Sequence, residues 1–326
     1  MTKAQEELPG GTRPASQGRL VRMVAADGQI RAAACVTTRV VERARVRHRL
    51  MPTAAAALGR LMTAAVLMAS SLKGRERVML QIVGDGPIRH VVAQADARLT
   101  VRGYVGDPLV HLPLNGAGKL DVARAIGKGS LYVIRDLGLR EPYRGAVPLV
   151  TGEIAEDVAH YLAHSEQTPA AVALGVLVEP DTRIRAAGGW MITPLPGASP
   201  DLLGELEARL KQAPQVSRAI DALGKGAQES PAALLEELLA PWRPRILAEQ
   251  PVAFHCSCSR GRFEAGLVAL GPKELLDIAR EQDPVELRCR FCGRRYLFSA
   301  ERIRQLAARA AGPRLRVVKG TGASPS

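Results

Sequence analysis

The sequence is poor in aromatic residues, which make up 3% of its 326 residues. The phenylalanines are confined to one C-terminal stretch, at Phe254, Phe263, Phe291 and Phe298. Most of the chain must therefore fill its core with aliphatic side chains, whereas the C-terminal part has aromatic residues for a core of its own. This distribution predicts a large aliphatic unit followed by a small unit that folds separately.

A secretory leader and a clear membrane span are also lacking. The first 18 residues are polar and contain two prolines, so we expect a disordered lead-in there. The most apolar run, residues 54–72, contains Arg60 and many alanines, which favours a buried helix over a membrane span. These features predict a cytoplasmic protein with no membrane partner, in a compartment where thiols stay reduced.

Sequence signatures of catalysis are missing as well. Residues 115–120 contain glycine and lysine, but Pro113 and Leu120 stand where a phosphate-binding loop has its first glycine and its Ser or Thr. We therefore do not expect ATP as a cofactor. His160 and His164 are one helical turn apart without a third ligand, which indicates a surface pair. No serine nucleophile elbow or zinc-protease helix is found, so an enzyme is not expected.

Charge is strongly biased to one sign, with a formal net charge of +13. Such a surplus is compatible with nucleic acid, an anionic membrane or acidic proteins as partners. Basic residues are spread along the chain, with only a modest concentration after Arg302, which favours an ordinary solvated surface. Charge alone therefore does not predict a nucleic-acid partner.

The distinctive feature of the sequence is its set of cysteines. Cys256 and Cys258 form a C-x-C pair, and Cys289 and Cys292 form a C-x-x-C pair followed by glycine. Two close pairs of soft ligands are the common way to supply four thiolates to a tetrahedral zinc ion. The fifth cysteine, Cys35, stands alone in a predicted strand and is expected to be a buried, small apolar residue.

A metal ion would decide the stability of the small module. Residues 272–280 predict a helix, and residues 285–288 and 296–298 predict strands, which together make only a marginal core. Structural zinc binds finger peptides with an apparent free energy of about 10–16 kcal/mol. A whole domain is stable by about 5–15 kcal/mol, so we expect the module to unfold without metal. His255 is expected to be a surface or supporting residue rather than a ligand.

Spacing alone leaves more than one function open. It favours a purely structural zinc ribbon, and disfavours a thioredoxin-like site because no helix is predicted after Cys292. One alternative is a zinc-ribbon nucleic-acid-binding protein, supported by the arginines around the second pair: Arg288, Arg290, Arg294 and Arg295. Another is an enzyme with structural zinc, although no convergent catalytic motif supports it.

Motifs along the whole chain favour a more specific interpretation. Two C-terminal motifs contain the cysteines, Cys256-Ser-Cys-Ser-Arg260 and Cys289-Arg-Phe-Cys292. Three further motifs precede them along the chain: Leu58-Gly-Arg60, Gly84-Asp-Gly-Pro87 and Arg102-Gly-Tyr104. In this order the motifs resemble the 33 kDa heat-shock chaperonin family, the redox-regulated holdase chaperones of bacteria. The resemblance spans roughly residues 19–306.

The resemblance implies an ATP-independent chaperone that binds unfolding proteins under oxidative stress. It implies that the reduced form holds one zinc ion through Cys256, Cys258, Cys289 and Cys292 and is inactive. Oxidation would form the disulfides Cys256–Cys258 and Cys289–Cys292, release zinc, and unfold the switch and linker. The active form would be a homodimer bound to unfolded or misfolding client proteins.

The expected fold class is α+β, with a large N-terminal α/β-sandwich-like domain, a helical linker and a small C-terminal zinc-binding α+β module. The helical spacing of the linker leucines predicts that they dock on the large domain: Leu234, Leu235, Leu238 and Leu239. The predicted segments are a disordered lead-in (1–18), a client-binding and dimerisation domain (19–230), a linker (231–251), a redox switch (252–308) and a basic flexible tail (309–326).

Overall fold

The computed structural model describes residues 17–224 and 230–312. The predicted lead-in, apart from its last two residues, and the predicted tail beyond residue 312 lie outside the described residues. The chain divides into two compact units, with the division between Cys256 and Ser257. Each unit is described by itself below.

The larger unit is built on one ten-stranded sheet. Its strand order is β7-β6-β3-β4-β5-β10-β1-β2-β9-β8, and each neighbouring pair is antiparallel except β5 with β10. The strands are β1 (Gly18–Ala25), β2 (Ile30–Val36), β3 (Arg77–Gly84), β4 (His90–Asp96), β5 (Thr100–Val105), β6 (Gly129–Asp136), β7 (Tyr143–Pro148), β8 (Ala171–Val178), β9 (Ile184–Pro194) and β10 (Arg245–Phe254).

Seven α-helices accompany this sheet in the described part of the larger unit. They are α1 (Thr38–His48), α2 (Pro52–Ala69), α3 (Val122–Ile126), α4 (Ala155–Ser165), α5 (Pro200–Lys211), α6 (Val216–Leu223) and α7 (Ala233–Leu239). The mixed helix and strand content agrees with the predicted α+β class.

Helix α2 is the central helix of the larger unit. Pro52 begins it, where the missing N–H costs nothing, and its alanines allow strands β4, β5, β8 and β9 to pack closely against it. Gly59 is needed where β8 approaches, because a Cβ there would lie 2.8 Å from Val176 Cγ2. The helix is long and apolar enough to cross a membrane, yet 89% of it is buried inside the protein. The predicted buried helix is therefore confirmed.

The sequence had predicted a helical linker, but the linker is helical only in its first part. Helix α7 occupies only Ala233–Leu239, a 3-10 turn follows at Ala240–Trp242, and β10 then joins the sheet. Pro241 and Pro244 stop the helix, because proline supplies no N–H and restricts the residue before it. The edge of β1 supplies hydrogen-bonding partners for the backbone that follows.

The smaller unit is a two-stranded antiparallel sheet with three helices. Its elements are α8 (Arg260–Leu270), α9 (Pro272–Glu281), β11 (Val285–Arg288), β12 (Arg295–Phe298) and α10 (Ala300–Ala311). Phe298, Leu275 and Leu306 are fully buried in its core. The predicted helix and both predicted strands are present, whereas α8 and α10 were not predicted. Phe254 belongs to the larger unit, contrary to the expectation that all four phenylalanines share one core.

Candidate metal centre

The four predicted cysteines lie together. Their Sγ atoms are all within 4.8 Å of one another: Cys256, Cys258, Cys289 and Cys292. A zinc ion bound to four sulfurs at about 2.3 Å needs sulfurs about 3.8 Å apart, so the cluster has the size of a tetrahedral thiolate site. Among the residues that the structure describes, this is the one group of three or more metal-binding side chains. The cysteines could therefore hold a metal ion.

Local chain turns bring the cysteines together. Cys289 follows strand β11, and the Gly293 N–H donates to the Cys289 carbonyl at 2.8 Å, which closes the turn before β12. Gly293 has a φ of 69°, a conformation that glycine adopts without strain. Cys258 immediately precedes Ser259, whose hydroxyl caps helix α8 by accepting from the Arg262 N–H. The C-x-C pair therefore lies where the chain leaves β10 and has not yet entered a helix.

The sulfur of Cys258 has two close neighbours within the smaller unit. It lies 3.3 Å from the Cys292 sulfur and accepts a hydrogen bond from the Tyr296 hydroxyl at 3.2 Å. The Tyr296 ring packs on Phe263 with centroids 4.7 Å apart. Burial, together with the contact to Cys258, raises the pKa of Tyr296 to about 12. The phenol therefore keeps its proton at neutral pH and serves as a donor.

Cys256 has a cationic neighbour from strand β5 of its own unit. The Nη1 of Arg102 lies 3.3 Å from the Cys256 sulfur. Gln94 on β4 fixes this guanidinium, since its Oε1 accepts from Nε at 3.0 Å and from Nη2 at 2.6 Å. A fixed positive charge stabilises a thiolate. Sequence reasoning used Arg102 only as a family landmark, because nothing in the sequence pairs β5 with the C-x-C motif.

The remaining candidates are not part of this centre. Cys35 is fully buried, and burial raises the pKa of its thiol far above the ordinary value, so the predicted inert apolar role fits. His255 is not a member of the cysteine cluster. His160 and His164 pack with ring centroids 4.0 Å apart on α4, and within the described residues no third metal-binding group joins them. None of the five cysteines forms a disulfide.

The linker leucines dock on the sheet of the larger unit, as predicted. They bury themselves on the side of strands β1, β2 and β9 that we call the covered face, formed by Val21, Met23, Ile30, Ala32 and Ile192. Leu235 and Leu239 are fully buried there, and Trp242 packs against the same cluster. Removal of α7 would therefore expose an apolar surface.

Comparisons with known proteins agree with this arrangement. Residues 18–299 match the family model described as Hsp33 protein. The 33 kDa chaperonin of Geobacillus kaustophilus is 48% identical over 288 residues, which cover 88% of this chain and 96% of that protein. The corresponding protein of Bacillus subtilis is 45% identical over 288 residues, or 88% of this chain and 97% of that protein.

A solved structure has the same fold. The crystal structure of the 33 kDa chaperonin (heat shock protein 33 homolog) from Thermotoga maritima superposes with a TM-score of 0.82 and 38% identity. The match covers 90% of this chain and 98% of that one. The matched proteins are named as chaperonins rather than as enzymes. The chain belongs to the Hsp33 family, as its motifs had predicted.

Proposed function

We propose that this protein is a redox-regulated, ATP-independent holdase chaperone of the cytoplasm. It is inactive while its four clustered cysteines are reduced and hold zinc, and it binds unfolding proteins after those cysteines are oxidised. One observation carries the proposal: a four-thiol cluster follows directly, along the chain, a linker that covers an apolar sheet face. Family membership supports the chaperone class itself.

The cysteine set fits zinc by its chemistry. Four thiols from two close pairs match the soft, tetrahedral preference of zinc, and no carboxylate belongs to the cluster, as a harder cation would require. Zinc, when bound, would keep the thiols deprotonated and contribute its binding energy to the fold of the smaller unit. The proposed ligands are Cys256, Cys258, Cys289 and Cys292.

The proposed oxidation proceeds in two steps for each pair. A thiolate attacks one oxygen of hydrogen peroxide, the O–O bond breaks, and a sulfenic acid and hydroxide form. The neighbouring thiolate then attacks the sulfenic sulfur and displaces a second hydroxide, which leaves a disulfide. Two electrons pass from each cysteine pair to one peroxide. By family resemblance the pairs are Cys256–Cys258 and Cys289–Cys292, and neither disulfide retains the thiolates that a metal needs.

The proposed coupling to client binding runs along the chain. Cys256 lies two residues after the end of β10, and β10 follows α7 in sequence. Unfolding of the smaller unit removes the constraint on the end of β10, which then frees β10 and α7 together. Exposed apolar surface binds unfolded chains without nucleotide, because burial of that surface supplies the driving force. The active protein is proposed to be a homodimer.

Nucleic-acid binding is the second candidate. Arg288, Arg294 and Arg295 are near the second cysteine pair, and the net charge is +13. If nucleic-acid binding is the function, the reduced, metal-loaded protein should bind RNA or DNA with an affinity that falls steeply with salt concentration. The chaperone proposal predicts no such binding at physiological salt.

The test measures zinc content and suppression of the thermal aggregation of citrate synthase, before and after peroxide and again after dithiothreitol. Suppression should appear as zinc is released and disappear on reduction with zinc present. Cys258→Ser should bind zinc weakly and suppress aggregation partly without oxidant. Cys35→Ala, which removes a thiol outside the cluster without burying a polar group, is the matched control and should behave as the wild type. Equal suppression by the reduced, zinc-loaded wild type would refute the switch.

A further inference from the structure

Strand β10 is attached to the sheet in an unusual way. It pairs with β1 at seven positions in antiparallel register, from Gly18 opposite Val252 to Val24 opposite Arg245, with one register shift that leaves Leu247 opposite no residue of β1. With β5 it pairs at only two positions, Ala253 and Phe254. Most of β10 is therefore held along one edge, that of β1.

The side chains in the first part of β10 bury little apolar surface, and one ion pair joins them to β1, from Arg19 Nη1 to Glu249 Oε2 at 3.4 Å. Those of residues 245–251 are exposed or half-buried, and Ile246 and Leu247 are 48% and 59% exposed. Only the last three residues, from Val252 to Phe254, are buried. The first part of the strand is therefore held mainly by backbone hydrogen bonds, and such bonding accepts almost any sequence.

The edge that β10 occupies adjoins the covered face. Val21 and Met23 of β1 point into the apolar cluster that α7 covers, and the backbone of the same strand pairs with β10. Release of α7 and β10 together would therefore open a row of unpaired backbone groups beside an apolar surface. An open edge of this kind binds another extended chain.

We propose that β10 occupies the client site of this protein, and that an unfolded client segment pairs with β1 in its place. The inference rests on the proposed redox-regulated function and adds the chemistry of the client. The client is an extended segment whose backbone continues the sheet and whose alternate side chains lie over the covered face, next to Val21 and Met23. Backbone pairing supplies binding to many sequences, and the apolar face selects segments with alternating apolar residues.

The position of Pro251 defines a sharp test. Proline has no N–H to donate, so the donors of β10 toward β1 fall on the alternate set that includes Ala248 and Gln250. The N–H groups of Ala253 and His255 donate toward β5, so the alternation places the Glu249 N–H on the side away from β1. Leu247 lies at a register shift opposite no residue of β1 and is left unmodified. N-methylation of one set or the other removes donors without changing any side chain.

The probe is a fluorescent peptide with the sequence of residues 245–254, titrated into the full-length protein. The peptide should bind the oxidised protein and not the reduced, zinc-loaded protein, in which β10 fills the site. N-methylation at Gln250 should weaken binding about tenfold or more, whereas N-methylation at the neighbouring Glu249 should change it little. The unmodified peptide should also reduce suppression of citrate synthase aggregation.

Two results would overturn the inference: equal binding of both methylated peptides, or failure of the unmodified peptide to bind an oxidised protein that suppresses aggregation. In either case the holdase function would stand. Oxidised protein that binds the peptide with the expected methylation pattern, but does not suppress aggregation, would contradict the chaperone proposal and leave strand pairing in place.

Discussion

Arg209 on helix α5 donates a hydrogen bond from Nε to the carbonyl oxygen of Leu238 at 2.8 Å. Its Nη2 donates to the carbonyl of Glu237 at 2.7 Å. Both carbonyls belong to the last turn of α7, where no intrahelical N–H is available to them. A cation at a helix C-terminus also opposes the negative end of the helix dipole. Arg209 therefore caps the linker helix and fastens it to α5.

Substitution Arg209→Gln should loosen the linker while the metal stays bound. A hydrogen bond to a charged donor contributes about 1.5–3 kcal/mol when well formed, so the linker should open roughly tenfold or more often. Reduced, zinc-loaded Arg209→Gln should show faster hydrogen exchange in residues 233–242 and partial suppression of aggregation. Arg218→Gln, on exposed residue Arg218 of the neighbouring helix α6, is the control. Unchanged exchange in Arg209→Gln would show that the cap does not hold the linker.

Metal removal should unfold the smaller unit selectively. The core around Leu275, Phe298 and Ile303 is small, and loss of an apparent binding energy of about 10–16 kcal/mol exceeds what it can supply alone. Chelation of the reduced protein should abolish exchange protection throughout residues 260–311, whereas strands β3 and β4 keep theirs. Retained protection at Phe298 in metal-free, reduced protein would contradict a metal-dependent fold.

Tyr296→Phe should weaken metal retention without unfolding the module. The substitution keeps the ring that packs on Phe263 and removes the hydroxyl that donates to Cys258. One such hydrogen bond contributes about 0.5–1.5 kcal/mol, which corresponds to a rise of roughly twofold to tenfold in the zinc dissociation constant. Competition with a chromogenic chelator measures this dissociation constant. Tyr132→Phe, at an exposed tyrosine of β6, should leave the constant unchanged, and an equal effect of both substitutions would argue against the contact.

Glu42 should make the larger unit sensitive to acid. Burial opposes its ionisation, but hydrogen bonds from the Arg45 guanidinium and the Ile184 N–H outweigh burial and lower the pKa of Glu42. A lowered pKa in the folded state stabilises the protein above the unfolded value of about 4.3, and this stability is lost as pH falls through the folded value.

The free energy of unfolding, followed by tryptophan emission in urea, should therefore fall more between pH 5 and pH 3 for the wild type than for Glu42→Gln. Both tryptophans lie in the larger unit, so this signal reports the larger unit together with its linker, in the same way for every variant. Glu205→Gln, at an exposed position of α5, is the control and should keep the wild-type slope. Parallel curves for wild type and Glu42→Gln would rule out a contribution from this ion pair.

The cysteine site could be predicted from the sequence because its information is local. Two cysteine pairs at short spacing identify the candidate ligands, and the structure brings those four sulfurs together. The hairpin signal at Asp27-Gly28 likewise predicts the β1–β2 connection, where both residues have positive φ. Helical spacing predicts the docked face of α7.

The missed features depend on distant partners. Residues 245–251, which follow Pro241 and Pro244, have no strand signal of their own and join β10 only because the edge of β1 is available. Arg209 and Arg102 resemble any surface arginine until the fold brings them to a helix end and to a sulfur. Helices α8 and α10 were not predicted, although Ile303 and Leu306 of α10 have helical spacing and are buried.

The central claim is that loss of the metal releases the linker from the covered face. Trp190 is buried in that face and Trp242 packs against it, so these two residues, the only tryptophans of the chain, report release directly. The most direct test follows tryptophan emission and zinc release together after peroxide is added, with Trp242→Phe to identify the reporter. We predict a red shift that develops in proportion to the zinc released and reverses with dithiothreitol and zinc. Complete zinc release with unchanged emission would contradict the claim.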